Sequence, residues 1–308
     1  MAKFRIGTRS SLLALTQTRW VVSQLQLHFP GLSIEEVLIT TEGDLTTTPL
    51  SESKTPGVFV SALRNALHDR DVDFVVHSMK DLPAKLEPGI SLAAVPKRED
   101  VRDVLVSKGN LQLSELKSGA RVGTSSPRRA ATLRQLRPDL ELVSIRGNVD
   151  TRIAKVREGD YDATILALAG LNRIGRSAEV SEIFSTEVMI PAPGQGALAI
   201  ELRTQDKELA AVLGAINNAS DLLVTTAERA VLRGLGASCA TPIGASARFE
   251  NGELILIAEL AIESTGQAIR VSRSIESDLH NLEQAEEMGL SVAAEMLNSE
   301  IADRAALK

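Results

Sequence analysis

The sequence predicts an α/β protein with mainly parallel strands: two similar α/β domains, then a smaller α+β domain. Three observations predict it. Short β-like runs alternate with amphipathic helical stretches through the first two-thirds of the chain. Two segments of that region echo each other in the same order: FRIGTRSSLLA (Phe4–Ala14) resembles ARVGTSSPRRA (Ala120–Ala130), and DFVVHSMKDL (Asp73–Leu82) lines up with DATILALAGL (Asp162–Leu171). The last third then changes character, to strand-like runs divided by turn signals and closed by a helical stretch.

In order, Phe4–Gly7 reads as a strand, and Ser11 can cap a helix to about His28, with Leu15, Val22 and Leu25 among its apolar positions. Ile34–Thr40 reads as a strand. Thr41–Gly57 is too rich in Thr, Ser, Pro and Gly for regular structure. Val58–Asp69 returns to helix, and Asp73–His77 is a compact strand of the fully buried kind. The second series is strand Arg121–Thr124, helix Ser126–Arg137, strand Glu141–Ile145, helix Val149–Glu158 and strand Ala163–Ala167. Pro191–Leu202 is Pro- and Gly-rich before it turns strand-like, as expected of a chain crossing back between domains. Ala219–Gly234 reads as a helix. Strands Ile243–Glu250, Glu253–Glu263 and Ala268–Ile275 follow, and the Asn251-Gly252 pair between the first two is a strong hairpin signal. A final helix, about Leu279–Leu297, is expected to cover one face of this three-stranded antiparallel meander.

At 308 residues, roughly three-quarters of the unfolded chain's surface can be buried. A single Cys excludes an internal disulfide and a cysteine-based zinc cluster. No apolar run approaches the ~18–20 residues that cross a bilayer, and the N-terminus shows no signal-peptide apolar region. A cytoplasmic, soluble protein is the expectation. Charge is unevenly placed. Arg121–Arg157 holds nine basic residues against three acidic, a local +6 inside a chain of net charge −6, while Ser274–Lys308 holds eight acidic and two basic. An acidic chain with eight aromatic residues is poorly suited to coating a nucleic-acid backbone or stacking bases. A small, multiply charged anion fits the Arg-rich segment better. Arg134, Arg137 and Arg157 are expected on solvated helix faces.

Two constellations can carry chemistry. VHSMKDLP (Val76–Pro83) follows a buried-type strand, where open α/β sheets place ligands. Its His77, Ser78, Lys80 and Asp81 set an acid and a cation within one turn, and Asp81 is able to hold a developing cation or shuttle a proton. The same residues also read as a solvated loop with a Lys–Asp pair of little worth. The second constellation joins Arg128 and Arg129, in GTSSPRRA, with Arg146 and Arg152, in SIRGNVDTR. Arg9 and Ser11 offer like chemistry from the first domain. Arg stays charged and grips carboxylates bidentately. Scattered surface charge is the alternative. Cys239 sits among small residues in GASCATPIG, where a buried small hydrophobe and a nucleophile both remain open.

Taken in order, IGTRSSLLAL, VHSMKDLP, KREDVRDVLVS, GTSSPRR, IRGNVDTR, YDATILALAGLNRIG, PAPGQGALAIE, TAERA and SCATPIG resemble the porphobilinogen deaminase (hydroxymethylbilane synthase) family, over essentially the whole chain. The resemblance implies two periplasmic-binding-protein-like (type II) α/β domains, 1–96 with 197–214 and 102–190, and an α+β third domain, 219–308. It implies a transferase that condenses four porphobilinogen molecules head to tail, releasing ammonia, on a dipyrromethane cofactor held by a thioether to Cys239. By position, Asp81 matches the catalytic carboxylate, which stabilises the cationic azafulvene intermediate. Cys239, Lys80, Asp81, Ser126, Arg128, Arg129 and Arg146 match cofactor-binding residues; Arg9, Ser11, Arg146 and Arg152 match substrate-binding residues. No metal is implied. The chain is expected to be a monomer, with at most transient contact to the next pathway enzyme and none to nucleic acid or membrane. It departs from the common family pattern at Leu12, Glu42, Pro127, the stretch Leu50–Phe59 (whose one cation is Lys54) and Ala-Ser-Cys-Ala around Cys239. A non-enzymatic polycarboxylate-binding protein is the competing reading.

Overall fold

A computed structural model describes residues 3–40, 58–85, 87–237 and 241–305. Thr41–Gly57, with Glu42 and Lys54, and residues 238–240, with Cys239, lie outside the described residues. The chain divides into two compact units, Met1–Glu99 with Ala197–Leu222 and Asp100–Gly196 with Leu223–Lys308.

The first unit opens with β1 (Lys3–Thr8), α1 (Leu12–His28), β2 (Ser33–Leu38), α2 (Val58–His68), β3 (Phe74–Ser78) and β4 (Ile90–Ala94). Ser11 caps α1 by accepting a hydrogen bond from Ala14 N at 3.3 Å, as its position before the apolar run predicts. The strand order is β2-β1-β3-β10-β4, where β10 is the later segment Leu198–Arg203. β1 runs parallel to β2 and β3, whereas β10 lies antiparallel to both β3 and β4. Phe74 and Val76 of β3 pack with Ile6, Leu25 and Ile200 on one face, and Val75 packs with Leu63 and Leu67 on the other. A strand covered on both faces has no polar side to show. That is why Phe74–His77 reads as an unbroken buried run.

The second unit repeats this plan. It contains β5 (Asp103–Ser107), β6 (Arg121–Gly123), α3 (Pro127–Leu136), β7 (Glu141–Val143), α4 (Val149–Glu158), β8 (Ala163–Ala167), α5 (Leu168–Arg173) and β9 (Glu182–Ile183). The order is β7-β6-β8-β5-β9, with β6 parallel to β7 and β8 and with β5 antiparallel to β8 and β9. The sequence echo therefore falls on equivalent strands: Gly7-Thr8 ends β1 as Gly123, followed by Thr124, ends β6, and Asp73–Leu82 spans β3 as Asp162–Leu171 spans β8. The expectation of mainly parallel strands holds for four strands of each five-stranded sheet, with one antiparallel strand inserted next to the third parallel one. Within each unit the parallel neighbours, β1 with β3 and β6 with β8, still bring their carboxyl ends to one edge of their own sheet.

Helices α6 (Lys207–Gly214) and α7 (Ala219–Gly234) follow β10, and the division between the units passes through α7. Strands β11 (Ile243–Glu250), β12 (Glu253–Ala261) and β13 (Ala268–Glu276) form the antiparallel meander. Asn251 and Gly252 both have positive φ, +54° and +81°, as a two-residue hairpin turn demands. Helix α8 (Leu282–Leu297) starts later than expected because Asn281 caps it, accepting from Gln284 N at 3.1 Å; a short α9 (Glu300–Arg304) ends the described chain. Ala258 and Leu260 of β12 and Val292 and Met296 of α8 are all fully buried. Each buried Leu- or Val-sized side chain contributes roughly 1.5–3 kcal/mol.

Candidate active site

Parallel pairing of β1 with β3 carries two loops to one sheet edge in the first unit. The loop after β1 holds Arg9 and Ser11, and the 3₁₀ turn after β3, Met79–Asp81, holds Lys80 and Asp81. Gln17 of α1 ties the two loops by donating from Nε2 to Ser78 Oγ at 2.9 Å. Beneath them Thr18 donates to Thr8 at 2.8 Å. Met79 N donates to Ala197 O at 3.0 Å, which pins the acidic turn to the chain returning as β10. Met79 is buried while Asp81 is exposed, so the turn is anchored by its apolar residue and presents its carboxylate to solvent.

Behind this turn lies a charge cluster that sequence reasoning did not assemble. Arg64 of α2 grips Glu201 of β10 with two hydrogen bonds, 2.9 Å from Nε and 2.6 Å from Nη2. His77 Nε2 is 3.3 Å from the same carboxylate, and Glu87 lies 3.5 Å from Arg64 Nη1. Burial alone pushes the Glu201 pKa up, but the hydrogen bonds from Arg64 and the close approach of His77 outweigh it and hold the carboxyl at about 2.

In the second unit the equivalent edge carries the Arg-rich loops. Ser126 caps α3, its hydroxyl 3.5 Å from Arg129 N, with Pro127 as first helical residue, a position where its missing N–H costs nothing. Arg128 and Arg129 follow on the first turn, 6% and 7% exposed. Both meet Asp103, the first residue of β5, which is fully buried. Arg129 donates to Asp103 Oδ1 from Nε (3.2 Å) and Nη2 (2.7 Å) and to Ile165 O from Nη1 (2.9 Å). Arg128 Nη2 lies 2.7 Å from Asp103 Oδ2, a charge contact rather than an aligned hydrogen bond, and its Nη1 donates to Ile190 O at 2.7 Å. Gln195 completes the group, donating to Asp103 Oδ1 at 2.9 Å and to Val101 O at 2.7 Å. Complete burial works against the Asp103 charge, yet Arg128 and Arg129 hold its carboxyl well below the usual carboxylate range. Burial pushes the Arg128 guanidinium down from its ordinary value, with Arg129 adding to the shift and Asp103 opposing it.

Arg146 and Arg152 follow β7, the parallel neighbour of β6. Gly147 adopts φ +110°, and a Cβ there would fall 2.7 Å from Thr151 Cγ2, so only glycine fits this turn. Arg152 Nε donates to Gly147 O at 2.8 Å, and Lys155 Nζ to Arg146 O at 3.2 Å, fixing the loop. Two guanidinium atoms here, Arg128 Nε and Arg146 Nε, are buried without a hydrogen-bond partner among the described residues. Buried N–H donors are rarely left so. Two of them, on adjacent loops at a strand-end edge beside a helix N-terminus, suit the carboxylates of an acidic ligand.

The sequence-derived residues thus group as Arg9, Ser11, Lys80 and Asp81 on one unit's edge and Ser126, Arg128, Arg129, Arg146 and Arg152 on the other's. Asp103 and Gln195 were missed, although both lie in motifs noted above, KREDVRDVLVS and PAPGQGALAIE. The signal available was a lone acid opening an apolar run, Asp103-Val-Leu-Val. Of the Arg residues expected on solvated faces, Arg157 is largely exposed and pairs with Glu179 at 2.6 Å. Arg137 departs from that expectation: it donates to Leu113 O, Leu116 O and Asp139, stapling the end of α3.

The sheet orders, each with an antiparallel strand inserted beside the third parallel strand, define a pair of α/β domains of the type II periplasmic-binding-protein class with anion-suited loops at their strand ends. A family model described as the porphobilinogen deaminase dipyromethane cofactor binding domain matches residues 4–211, and the porphobilinogen deaminase C-terminal domain matches 222–298. The chain belongs to the porphobilinogen deaminase family. Relatives of that name include one from Leifsonia xyli, 47% identical over 99% of this chain and 94% of its own, and one from Sorangium cellulosum, 46% identical over 94% and 97%. Among solved structures, a Salmonella typhimurium periplasmic binding protein with high arginine specificity is 14% identical with a TM-score of 0.41, covering 70% of this chain and 92% of that one. The chain is accordingly a transferase of tetrapyrrole synthesis that acts on porphobilinogen, and it carries the family's dipyrromethane-cofactor-binding domain.

Proposed function

We propose that this transferase joins four porphobilinogen molecules head to tail, releasing ammonia at each step, on a dipyrromethane attached through a thioether to Cys239. The observation that carries the reading is the pair of buried, unpartnered guanidinium N–H groups of Arg128 and Arg146. A pyrrole bearing an acetate and a propionate supplies the oxygens those donors lack. Bound dipyrromethane supplies the free pyrrole carbon to which the first substrate methylene is joined. Arg128, Arg129, Arg146, Lys80 and Ser126 hold its carboxylates and ring, and Arg9, Ser11, Arg146 and Arg152 receive those of incoming porphobilinogen. Cys239 suits attachment because a thiolate is a soft nucleophile, here among small neighbours in sequence.

Asp81 is the catalytic carboxylate. It sits exposed on a turn fixed by Met79, able to accept a pyrrole N–H and to stabilise positive charge as the amine departs. Lys80 beside it adds a cation for a substrate carboxylate. The chain acts as a monomer in the cytoplasm, with transient transfer of its product to the next enzyme.

The test is intact mass with an ammonia assay. Protein from a host that makes porphobilinogen is expected to carry two extra pyrrole rings and to release ammonia from added substrate. Cys239→Ser is expected to lose both. A wild-type chain that binds porphobilinogen without ammonia release would instead be the non-enzymatic polycarboxylate binder.

A further inference from the structure

An anion site that contains a fully buried carboxylate needs a reason, because the carboxylate opposes the ligand's own charge. Asp103 is such a group, and the arrangement around it is unequal. Its Oδ1 accepts three hydrogen bonds, two from Arg129 and one from Gln195, while its Oδ2 faces Arg128 Nη2 at 2.7 Å by charge alone. Arg129 spends Nε, Nη1 and Nη2 on protein oxygens. Arg128 is anchored at Ile190 O and keeps a buried Nε without a partner among the described residues. Glu259 acts on Arg128 and is itself held by Arg270 at 2.6 Å. That pair is neutral, so the Arg128–Arg129–Asp103 group carries a net +1 instead of +2.

We propose that Asp103 is a resident counter-ion that makes the Arg128–Arg129 site selective for polycarboxylates by denying it to small inorganic anions. The inference rests on the reading above, in which this pair meets the carboxylates of a pyrrole ligand. Two adjacent buried guanidinium groups without a counter-ion form a strong well for any anion, because attraction in a poorly solvated site is several times that in water. Phosphate at cellular concentration would then compete with the ligand. Asp103 halves the charge and occupies one edge of each guanidinium. A single small anion is left with little beyond the Arg128 Nε direction. A ligand with several carboxylates reaches Arg128, Arg146 and Arg152 together, and linked contacts gain what no single contact supplies. Asp103 is thus a positioning and specificity residue that acts through the two arginines and does not itself touch the ligand.

The experiment titrates inorganic phosphate at constant ionic strength against the full-length chain, made in a host that produces no porphobilinogen, and follows the melting temperature. Asp103→Asn is expected to be stabilised by phosphate with a half-effect at a concentration at least ten-fold lower than wild type. The double variant Asp103→Asn with Arg129→Gln restores a net +1 and is expected to return to wild-type insensitivity. When porphobilinogen is added to the unloaded protein, phosphate is expected to slow attachment of the two pyrrole rings, read by intact mass, in Asp103→Asn and not in wild type. Equal phosphate dependence in wild type and Asp103→Asn would overturn the proposal. So would failure of Asp103→Asn to fold at every phosphate concentration, since the defect would then be packing and not unbalanced charge. The melting readout needs no turnover, so it fails or succeeds apart from the porphobilinogen assay that tests the underlying reading.

Discussion

Asp81 and Glu201 are both carboxylates of the first unit, and their surroundings give them opposite tasks. Asp81 is exposed on a turn held from below, so its removal leaves the packing beneath it intact. Asp81→Ala is expected to lower turnover by about 10²–10⁴-fold, the range for loss of a positioned acid–base group, while intact mass still shows the attached cofactor. Loss of the cofactor from this variant would assign Asp81 to assembly instead. Glu201 is buried, and its carboxyl is held at about 2, against an ordinary value of 4.5, chiefly through Arg64 and His77. A depressed carboxyl stabilises the fold fully above the unfolded value and loses that contribution as pH falls toward the folded one. Each pKa unit corresponds to about 1.4 kcal/mol, so on the order of 3 kcal/mol is expected to disappear between about pH 5 and pH 2. Urea unfolding of wild type and Glu201→Gln across that range checks it: the variant is expected to be weaker at pH 6 and to show a flatter acid limb. An equally steep limb in both would place the acid sensitivity elsewhere. Neither Glu201 nor Asp103 was legible as a site residue. A charged residue in an apolar run looks the same whether it is solvated or paired, and the partner of Glu201 is 137 residues away. Asp81 and the arginines were legible because they cluster within single turns.

At the scale of elements, the close approach of α8 to α7 depends on a glycine in a position where helix propensity argues against one. Gly289 lies inside α8, and glycine there costs about 1 kcal/mol relative to alanine on propensity. A Cβ at that position would collide with the Ala227 carbonyl oxygen and sit 2.6 Å from Ala230 Cβ. Backbone cannot rotate aside, so overpacking, typically 1–3 kcal/mol, outweighs the propensity gain. Gly289→Ala is therefore expected to lower stability by about 1–2 kcal/mol in urea unfolding; a stabilised variant would mean that the helices separate freely. Periodicity revealed α7 to the residue, as it did α4 and β8, because each carries an uninterrupted pattern between clear stop signals. It did not reveal β4, β5 and β9, and β5 is the strand that delivers Asp103. These strands are short, and their pairing partners are remote in sequence. Nothing in five or fewer residues states whether a strand will insert antiparallel. That is also why the one antiparallel strand in each mainly parallel sheet was not foreseen, although Pro191–Leu202 was read correctly as turning strand-like.

For the whole molecule, the fold plan was legible because it is stated twice. The Gly-Thr strand ends and the capped helices after them recur in both units, and a repeat constrains topology more strongly than any single propensity. Charge adds a second whole-chain argument. A net −6 ought to repel a dicarboxylate substrate, yet the Arg121–Arg157 segment is locally +6. Part of the opposing acidity is spent locally: Glu286 pairs with Arg233 at 2.7 Å and Glu295 with Arg273 at 2.5 Å. At physiological ionic strength the screening length is about 8 Å, so charges several side chains away contribute little while guanidinium groups in contact with the ligand retain their pull. Short-range attraction should therefore decide affinity. Two consequences separate this account from simple global steering. Adding salt from about 0.15 to 0.5 M is expected to raise KM for porphobilinogen by roughly three-fold, because the half-exposed Arg9 and Arg152 lose attraction, while kcat holds because Asp81 acts within contact distance. Neutralising exposed acids of the final helices, for example Glu283→Gln with Glu287→Gln, is expected to leave KM at 0.15 M unchanged. A KM that falls in that variant, or that falls as salt is added, would show that the global negative charge governs capture and that the local arginines do not.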